Sequence, residues 1–356
     1  MKIIQVLDAL DYGDGASNDV MHLYELLREL GLDTEIYSKW YDDRVAKYTM
    51  DIEKCNPSKE DIIIYHFSGK SYILDHVKKY PCRVMVRYHN VTPPEFFLPN
   101  NMAAYQNCKE GIEEIKENIG RFDGYIAVSP FNARDLISYG ADPQKVDVIP
   151  IIIDFDKLDS RTSDRDLRQE LSGAAPYMLY VGRIAPNKRV EDVLDIFESY
   201  YRFFDKNVRL YVVGNMDHSS EYTKNVLGRL EKMESKDHVV FTGKVSDEDL
   251  HSYFSGASVF LCMSEHEGFC IPILEAQYFN VPVVGYDSCA VPDTMGGSGV
   301  LLYKKDPHMA AYIISKVLSD DCLREEIIEG QQKNLEKYQR SVVKAHLTEI
   351  LKKWRT

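Results

Sequence analysis

The sequence predicts two α/β domains, each a parallel β-sheet covered by helices on both faces. Three observations point there. Short β-branched runs alternate with longer amphipathic segments from end to end. The runs are apolar on both faces, as strands buried between helix layers must be. The chain, at 356 residues, is long for one hydrophobic core and suits two.

The strand candidates of the first half are 2–7, 34–37, 62–65, 83–88, 124–128 and 146–149. Between the first two, 18–30 places Val20, Leu23, Leu26, Leu27 and Leu30 at helical spacing, with Ser17 or Asn18 as cap and Gly31 as stop. The second half repeats the rhythm with strands at 178–181, 209–213, 239–242, 259–263, 281–285 and 300–303. The boundary is expected between Asp154 and Ser172, a stretch rich in Asp, Arg and Ser without sustained apolar period. Residues 334–354 read as one long final helix.

Composition bounds the function. Apolar residues make up 44% of the chain, so it is no disordered scaffold. No run approaches 18 uncharged apolar residues, and the chain enters a strand-like run directly at Ile3, so neither a spanning helix nor a signal peptide is expected. Seven cysteines without a Cys-x-x-Cys pair fit reduced thiols in a cytoplasm. A formal charge of −13 argues against a general nucleic-acid binder, though one anionic ligand can still be met locally.

The densest chemical signal is Ser264-Glu265-His266-Glu267-Gly268-Phe269-Cys270-Ile271-Pro272, between a strand and an apolar helical run. In a parallel sheet this junction lies at the carboxyl edge, where ligands bind. Gly268 lets the backbone approach a ligand, and Pro272 leaves the first helix amides free for an anion. Glu267 in the loop and Glu275 in the helix can accept from hydroxyls of one extended ligand. A second junction, Gly182-Arg183-Ile184-Ala185-Pro186-Asn187-Lys188, follows the first strand of the second half. Arg183 and Lys188 there can neutralise a diphosphate and the charge growing on it as it departs.

These residues, in the setting Gly182-Arg183…Lys188…Glu267-Gly268-Phe269-Cys270-Ile271-Pro272-Ile273-Leu274-Glu275-Ala276, resemble the donor signature of glycosyltransferase family 4. Ala290-Val291-Pro292-Asp293 and Gly299-Val300-Leu301-Leu302 resemble its downstream loop and final strand, and Val128-Ser129, Val148-Ile149-Pro150 and Asp154 its interdomain segment. The resemblance implies a GT-B fold: two Rossmann-like domains with parallel sheets facing across an interdomain cleft. Residues 1–154 would form the acceptor-side domain, with 338–356 crossing back onto it, and 155–337 the donor domain. It also implies a metal-independent, retaining hexosyltransferase with no cofactor, the nucleotide sugar being a co-substrate. Attack by the acceptor hydroxyl would come from the donor's front face, with the leaving phosphate taking the proton. Arg183 and Lys188 would hold the diphosphate, and Glu275 would accept from the ribose. Glu267 and the backbone of Gly182, Gly268, Phe269, Cys270 and Ile271 would meet the rest of the donor.

In the first domain, Gly13-Asp14-Gly15 lies between strand and helix, where amides can reach a phosphate or acceptor; the family often has paired glycines here. His89, ending a strand, resembles the family's histidine near the transferred sugar, and Arg87 is a weaker acceptor-binding candidate. The acceptor is expected to be a growing glycan or lipid-linked glycan, the location the cytoplasm, with or without a peripheral contact at the inner membrane face. Phe96 and Phe97 are expected to pack into the first domain, the alternative being an acceptor platform or membrane contact. Three motifs are set aside. Ser68-Gly69-Lys70-Ser71 hints at a triphosphate loop but has Ile64 where the first glycine belongs. Asp154-Phe155-Asp156 falls in the boundary, and His66 and His218 lack metal-ligand partners at useful spacing. Competing functions are a non-catalytic nucleotide-sugar-binding partner subunit, and a phosphorylase or epimerase on the same fold.

Overall fold

A computed structural model describes residues 1–155, 158, 165–172 and 175–355. The chain divides into two compact units: Met1–Glu95, Ala103–Asp154 and Tyr338–Thr356 form the first, Phe96–Met102 and Phe155–Lys337 the second. Residues 96–102 thus interrupt a first domain expected to run unbroken to 154.

The first unit is a seven-stranded sheet, β1 (Ile3–Leu10), β2 (Thr34–Tyr41), β3 (Met50–Asp51), β4 (Ile62–Phe67), β5 (Arg83–Tyr88), β6 (Gly124–Ala127) and β7 (Val146–Val148), in the order β3-β2-β1-β4-β5-β6-β7. All pairings are parallel, with Ile4 opposite Ile63 and His66 opposite Arg87. Alternate residues serve opposite faces. Ile4, Val6, Ile63, Tyr65 and Val86 pack with the helices Met102–Asn118 and Pro130–Ser138, through Ile115 and Leu136. Ile3, Ile62, Ile64 and Met85 pack with the helices Gly15–Glu29 and Arg340–Arg355, through Leu23, Leu27, Leu347 and Leu351. Two buried faces explain why these strands read as unbroken apolar runs.

The helix after β1 begins three residues earlier than expected. Asp14 is its cap, accepting from the Ser17 amide at 3.1 Å, while the Ser17 hydroxyl turns back to accept from the Asp11 amide at 2.9 Å. Gly31 ends it at φ 72°, with the Leu32 amide donating to the Leu27 carbonyl, as the sequence predicts.

The second unit is a six-stranded parallel sheet, β8 (Tyr177–Val181), β9 (Arg209–Val213), β10 (Val239–Gly243), β11 (Val259–Cys262), β12 (Val283–Tyr286) and β13 (Val300–Leu302), ordered β10-β9-β8-β11-β12-β13. Helix Val190–Phe203 buries Val190, Val193, Leu194 and Phe197, the i, i+3, i+4, i+7 stripe. In each unit the strand order reverses once, between β1 and β4 and between β8 and β11. Loops leaving the carboxyl ends at such a reversal diverge and leave a crevice for a ligand.

Other expectations need correction. The final helix is two: Asp321–Leu335 in the second unit and Arg340–Arg355 in the first, joined through a 3-10 turn at Glu336–Tyr338. The former ends at Leu335 with Glu336 as its cap, and in its last turn the side-chain amide of buried Asn334 donates to Gln277 Oε1 at 3.0 Å and the Thr294 carbonyl at 2.9 Å. The boundary stretch holds a helix, Arg165–Ser172, whose Leu171 is buried in the second core. Asp156 of the Asp-x-Asp motif lies outside the described residues. β3 is too short and exposed to leave an apolar signature. In the Ser68–Ser71 turn, the Ser71 amide donates to Glu114 at 2.8 Å and Lys70 pairs with Glu110 at 2.5 Å, so the turn serves the helix Met102–Asn118 rather than a phosphate.

Gly214, after β9, is held at φ +146°, and a Cβ there would stand 2.0 Å from the Gly182 carbonyl oxygen. Gly214→Ala is expected to destabilise the protein by about 3 kcal/mol, combining a strained backbone with overpacking. Urea unfolding measures it; an unchanged midpoint would contradict the close approach.

Candidate active site

In the second unit, both chemical junctions identified from sequence leave the strands flanking the reversal, β8 and β11. Asn187 ties them together. Its buried carbonyl accepts from the Glu265 amide at 2.9 Å, and its side-chain amide donates to the His266 carbonyl at 3.1 Å. This bracing sets Lys188 against Glu267, its Nζ donating to both carboxylate oxygens at 2.6 Å. Ser264 Oγ donates to Glu267 Oε1 at 2.8 Å as well. Burial disfavours the Lys188 ammonium, but the Glu267 carboxylate outweighs it and the pKa rises above its ordinary 10.5. The lysine is a permanent cation at the strand ends.

Cys270 adopts φ 74° directly before helix Ile271–Tyr278, with Pro272 in its first turn. Phe269 is buried, and its carbonyl accepts from the Thr294 hydroxyl. Along the helix Ile273, Leu274, Ala276 and Gln277 are buried, whereas Ile271, Glu275 and Tyr278 form the half-exposed face. Glu275 therefore lies about one turn in from Ile271, on the same face. Arg183 is exposed, and among the described residues its side chain shows no ion pair. A second charge cluster, Arg189 and Lys305 with Asp192 and Glu265, flanks the junction at 2.6–3.5 Å. Cys262 and Cys270 stand with sulfurs 3.8 Å apart, unbonded, beside Glu267.

In the first unit, Gly13 turns the chain at φ 78° and Gly15 opens the helix. His89 follows β5 with its side chain 6% exposed, and burial lowers its pKa to about 4, so the ring is neutral at pH 7. Its Nε2 lies 2.9 Å from His66 Nδ1, and its own Nδ1 has no hydrogen-bond partner among the described residues. Arg87 is 1% exposed and cannot meet an acceptor. Its Nε and NH2 groups donate to the two oxygens of buried Asp19 at 2.6 and 2.9 Å, and it caps the carbonyls of Ile149 and Pro150 at 2.9 and 3.1 Å. Burial raises the Asp19 pKa, but Arg87 outweighs it and brings the value to about 2. His66, set aside for want of partners, has two: Asp19, His66 and His89 carry ligand-type atoms within 4.8 Å of one another.

A family model described as glycosyl transferases group 1 matches residues 163–334, and one described as Glycosyltransferase Family 4 matches 52–157. The chain belongs to glycosyltransferase family 4. It is 25% identical over 269 residues to the O-antigen chain mannosyltransferase B of Escherichia coli, covering 74% of this chain and 67% of that one. It is 30% identical over 210 residues to the D-inositol 3-phosphate glycosyltransferase of Acidothermus cellulolyticus, covering 56% of this chain and 46% of the relative. In fold it matches Anabaena Alr3699/HepE in complex with UDP and glucose, at TM-score 0.74, 16% identity, and 99% and 100% of the two chains. The fold of this family 4 chain is GT-B.

Of the site residues named from sequence in this family member, the structure joins Lys188 and Glu267 directly and sets Arg183 and Glu275 on the same two junctions. It gives Gly182 a structural reason. The Gly182 amide donates to the Val213 carbonyl at 2.9 Å, and a Cβ there would lie 2.9 Å from the Tyr180 hydroxyl. Phe96 is not packed in the first core; its ring lies 6.3 Å from that of His266 within the second unit. Asn187 and Ser264 stand inside the two junctions read from sequence but carry no role there, and Gln5 escapes that reading. Their places within those junctions are the usable signal for the first two; Gln5 offers none. Among the described residues no helix is long and apolar enough to cross a membrane.

Proposed function

We propose that this chain transfers a hexosyl group from a nucleoside-diphosphate sugar to a hydroxyl of a glycan or lipid-linked glycan, with retention and without a metal. The observation that carries the reading is the Lys188–Glu267 pair, seated at the β8/β11 reversal with Arg183 and the start of helix Ile271–Tyr278. A nucleoside diphosphate gains a negative charge as it leaves the sugar, and a fixed lysine, a guanidinium and the helix amides stabilise that charge. Glu267 and Glu275 supply carboxylates for sugar and ribose hydroxyls. Metal independence is supported by the cations already present: Lys188 neutralises Glu267 and Arg87 neutralises Asp19, so an ion at either cluster would have to displace a bonded partner. The relative named a mannosyltransferase and the fold neighbour holding UDP and glucose support a hexose donor. Acceptor attack on the donor's front face fits the buried carboxylates of the described residues, Asp19, Asp61 and Glu267, each of which is already bonded.

A thermal-shift screen with UDP-, GDP- and dTDP-sugars tests it. One donor class is expected to raise Tm, by an amount equivalent to about 2.7 kcal/mol at a hundred times its Kd. No shift with any of the three would contradict the reading.

A further inference from the structure

The Gln5–His66–His89 chain fixes which nitrogen of His89 carries hydrogen. Gln5 Nε2 lies 3.2 Å from the Val20 carbonyl, which can only accept, so the amide nitrogen of Gln5 faces it and Gln5 Oε1 faces His66. That oxygen is 2.9 Å from His66 Nε2 and can only accept, so Nε2 of His66 carries the hydrogen. Burial keeps the His66 ring neutral, which leaves its Nδ1 as a bare lone pair. The facing atom, His89 Nε2 at 2.9 Å, must then be the donor. The two rings lie within 20° of parallel with centroids 5.2 Å apart, a separation that an in-plane, edge-to-edge hydrogen bond spans and face stacking does not. Asp19 Oδ2, 3.9 Å from the same His89 Nε2, favours the hydrogen there too. In neutral His89 the remaining nitrogen, Nδ1, is therefore an acceptor only, and it is buried without a partner among the described residues.

We infer that Gln5 and His66 are positioning residues that hold His89 in the Nε2–H tautomer, so that its Nδ1 accepts a hydrogen bond from a substrate hydroxyl. A bare lone pair repels phosphate oxygens, which also only accept, so this point of the first unit takes a hydroxyl of the sugar or acceptor and rejects a phosphate. Loss of the relay leaves the ring free to present N–H instead and to lose that hydroxyl. The inference rests on the proposed glycosyl transfer for the nature of the ligand, but the tautomer itself does not.

Nitrogen-15 NMR of histidine-labelled full-length protein at pH 7 is expected to show His89 protonated on Nε2 with Nδ1 unprotonated. Adding whichever of UDP-glucose or GDP-mannose binds is expected to shift Nδ1 alone in the direction of an accepted hydrogen bond. His66→Leu is expected to mix the His89 tautomers and lower kcat/KM for the donor about tenfold, the order of one oriented hydrogen bond. His66→Asn, whose side-chain oxygen can replace the Nδ1 acceptor, is expected to recover both. An Nδ1–H tautomer in the wild type would overturn the inference, as would an unchanged kcat/KM in His66→Leu or no recovery in His66→Asn. Failure of the transfer reading would appear separately, as donors that do not bind while the His89 tautomer is as stated.

Discussion

Lys188→Ala is expected to lower sugar transfer by about 10²–10³-fold, the loss seen when one preorganised charge stabiliser is removed from a developing anion. The same change leaves Glu267, whose side chain is 8% exposed, with its charge compensated only by the Ser264 hydroxyl. Folding stability therefore falls too. Lys188 keeps 18% of its own exposure, so water softens the effect to about 1–3 kcal/mol rather than the full cost of a buried broken pair. The two consequences separate in the double variant Lys188→Ala/Glu267→Gln, which removes the stranded charge. Urea unfolding of the double variant is expected to return most of the lost stability, while turnover stays low. Transfer at the wild-type rate by the folded Lys188→Ala protein would refute the lysine's place in the site.

Asp19→Asn is expected to cost about 3–5 kcal/mol, because Arg87 remains a charged, buried guanidinium without its counter-ion. A loss of that size should lower Tm by roughly 10 °C in a protein of this length. The pH dependence follows from the same residues. Asp19 sits at about 2 in the fold against an ordinary 3.8, so its contribution is full above pH 4 and is lost as pH falls toward 2. His89, lowered to about 4 from 6.5, acts in the same direction: the unfolded chain takes up its proton first, and stability declines as pH falls through that window. Asp19→Asn should therefore start less stable at pH 7 and show a flatter decline below pH 4. Unfolding midpoints measured from pH 7 to 2.5 check both features; parallel curves for the two proteins would contradict the assignment.

Much of this architecture is legible in the order of the amino acids. The strands can be read because both faces of each sheet are covered by helices, which turns every strand into an apolar run. The Lys188 and Glu267 junctions can be read because a glycine-bearing loop between strand and helix has few ordinary purposes. What stays hidden depends on register. Asp19 looks like a polar helix position, and it meets Arg87 only because the helix Gly15–Glu29 packs on the face that β5 presents. His66 and Arg87 are direct neighbours across β4 and β5, a pairing no spacing rule reveals. The break at Glu336–Tyr338 stays hidden because it carries no glycine or proline, the residues that mark a helix stop in a sequence. Phe96 misleads because a half-apolar loop shows its hydrophobicity but not the unit that receives it.

Isothermal titration of UDP, GDP and dTDP into the full chain, beside Arg183→Ala, tests most directly whether the β8 and β11 junctions bind a diphosphate. Arg183 is exposed, so its removal should leave the fold intact. One nucleotide is expected to bind the wild type in a single site and to bind Arg183→Ala at least about tenfold more weakly, as loss of one charge-assisted contact implies. Equal affinity for both proteins, or none for the wild type with all three nucleotides, would contradict the account.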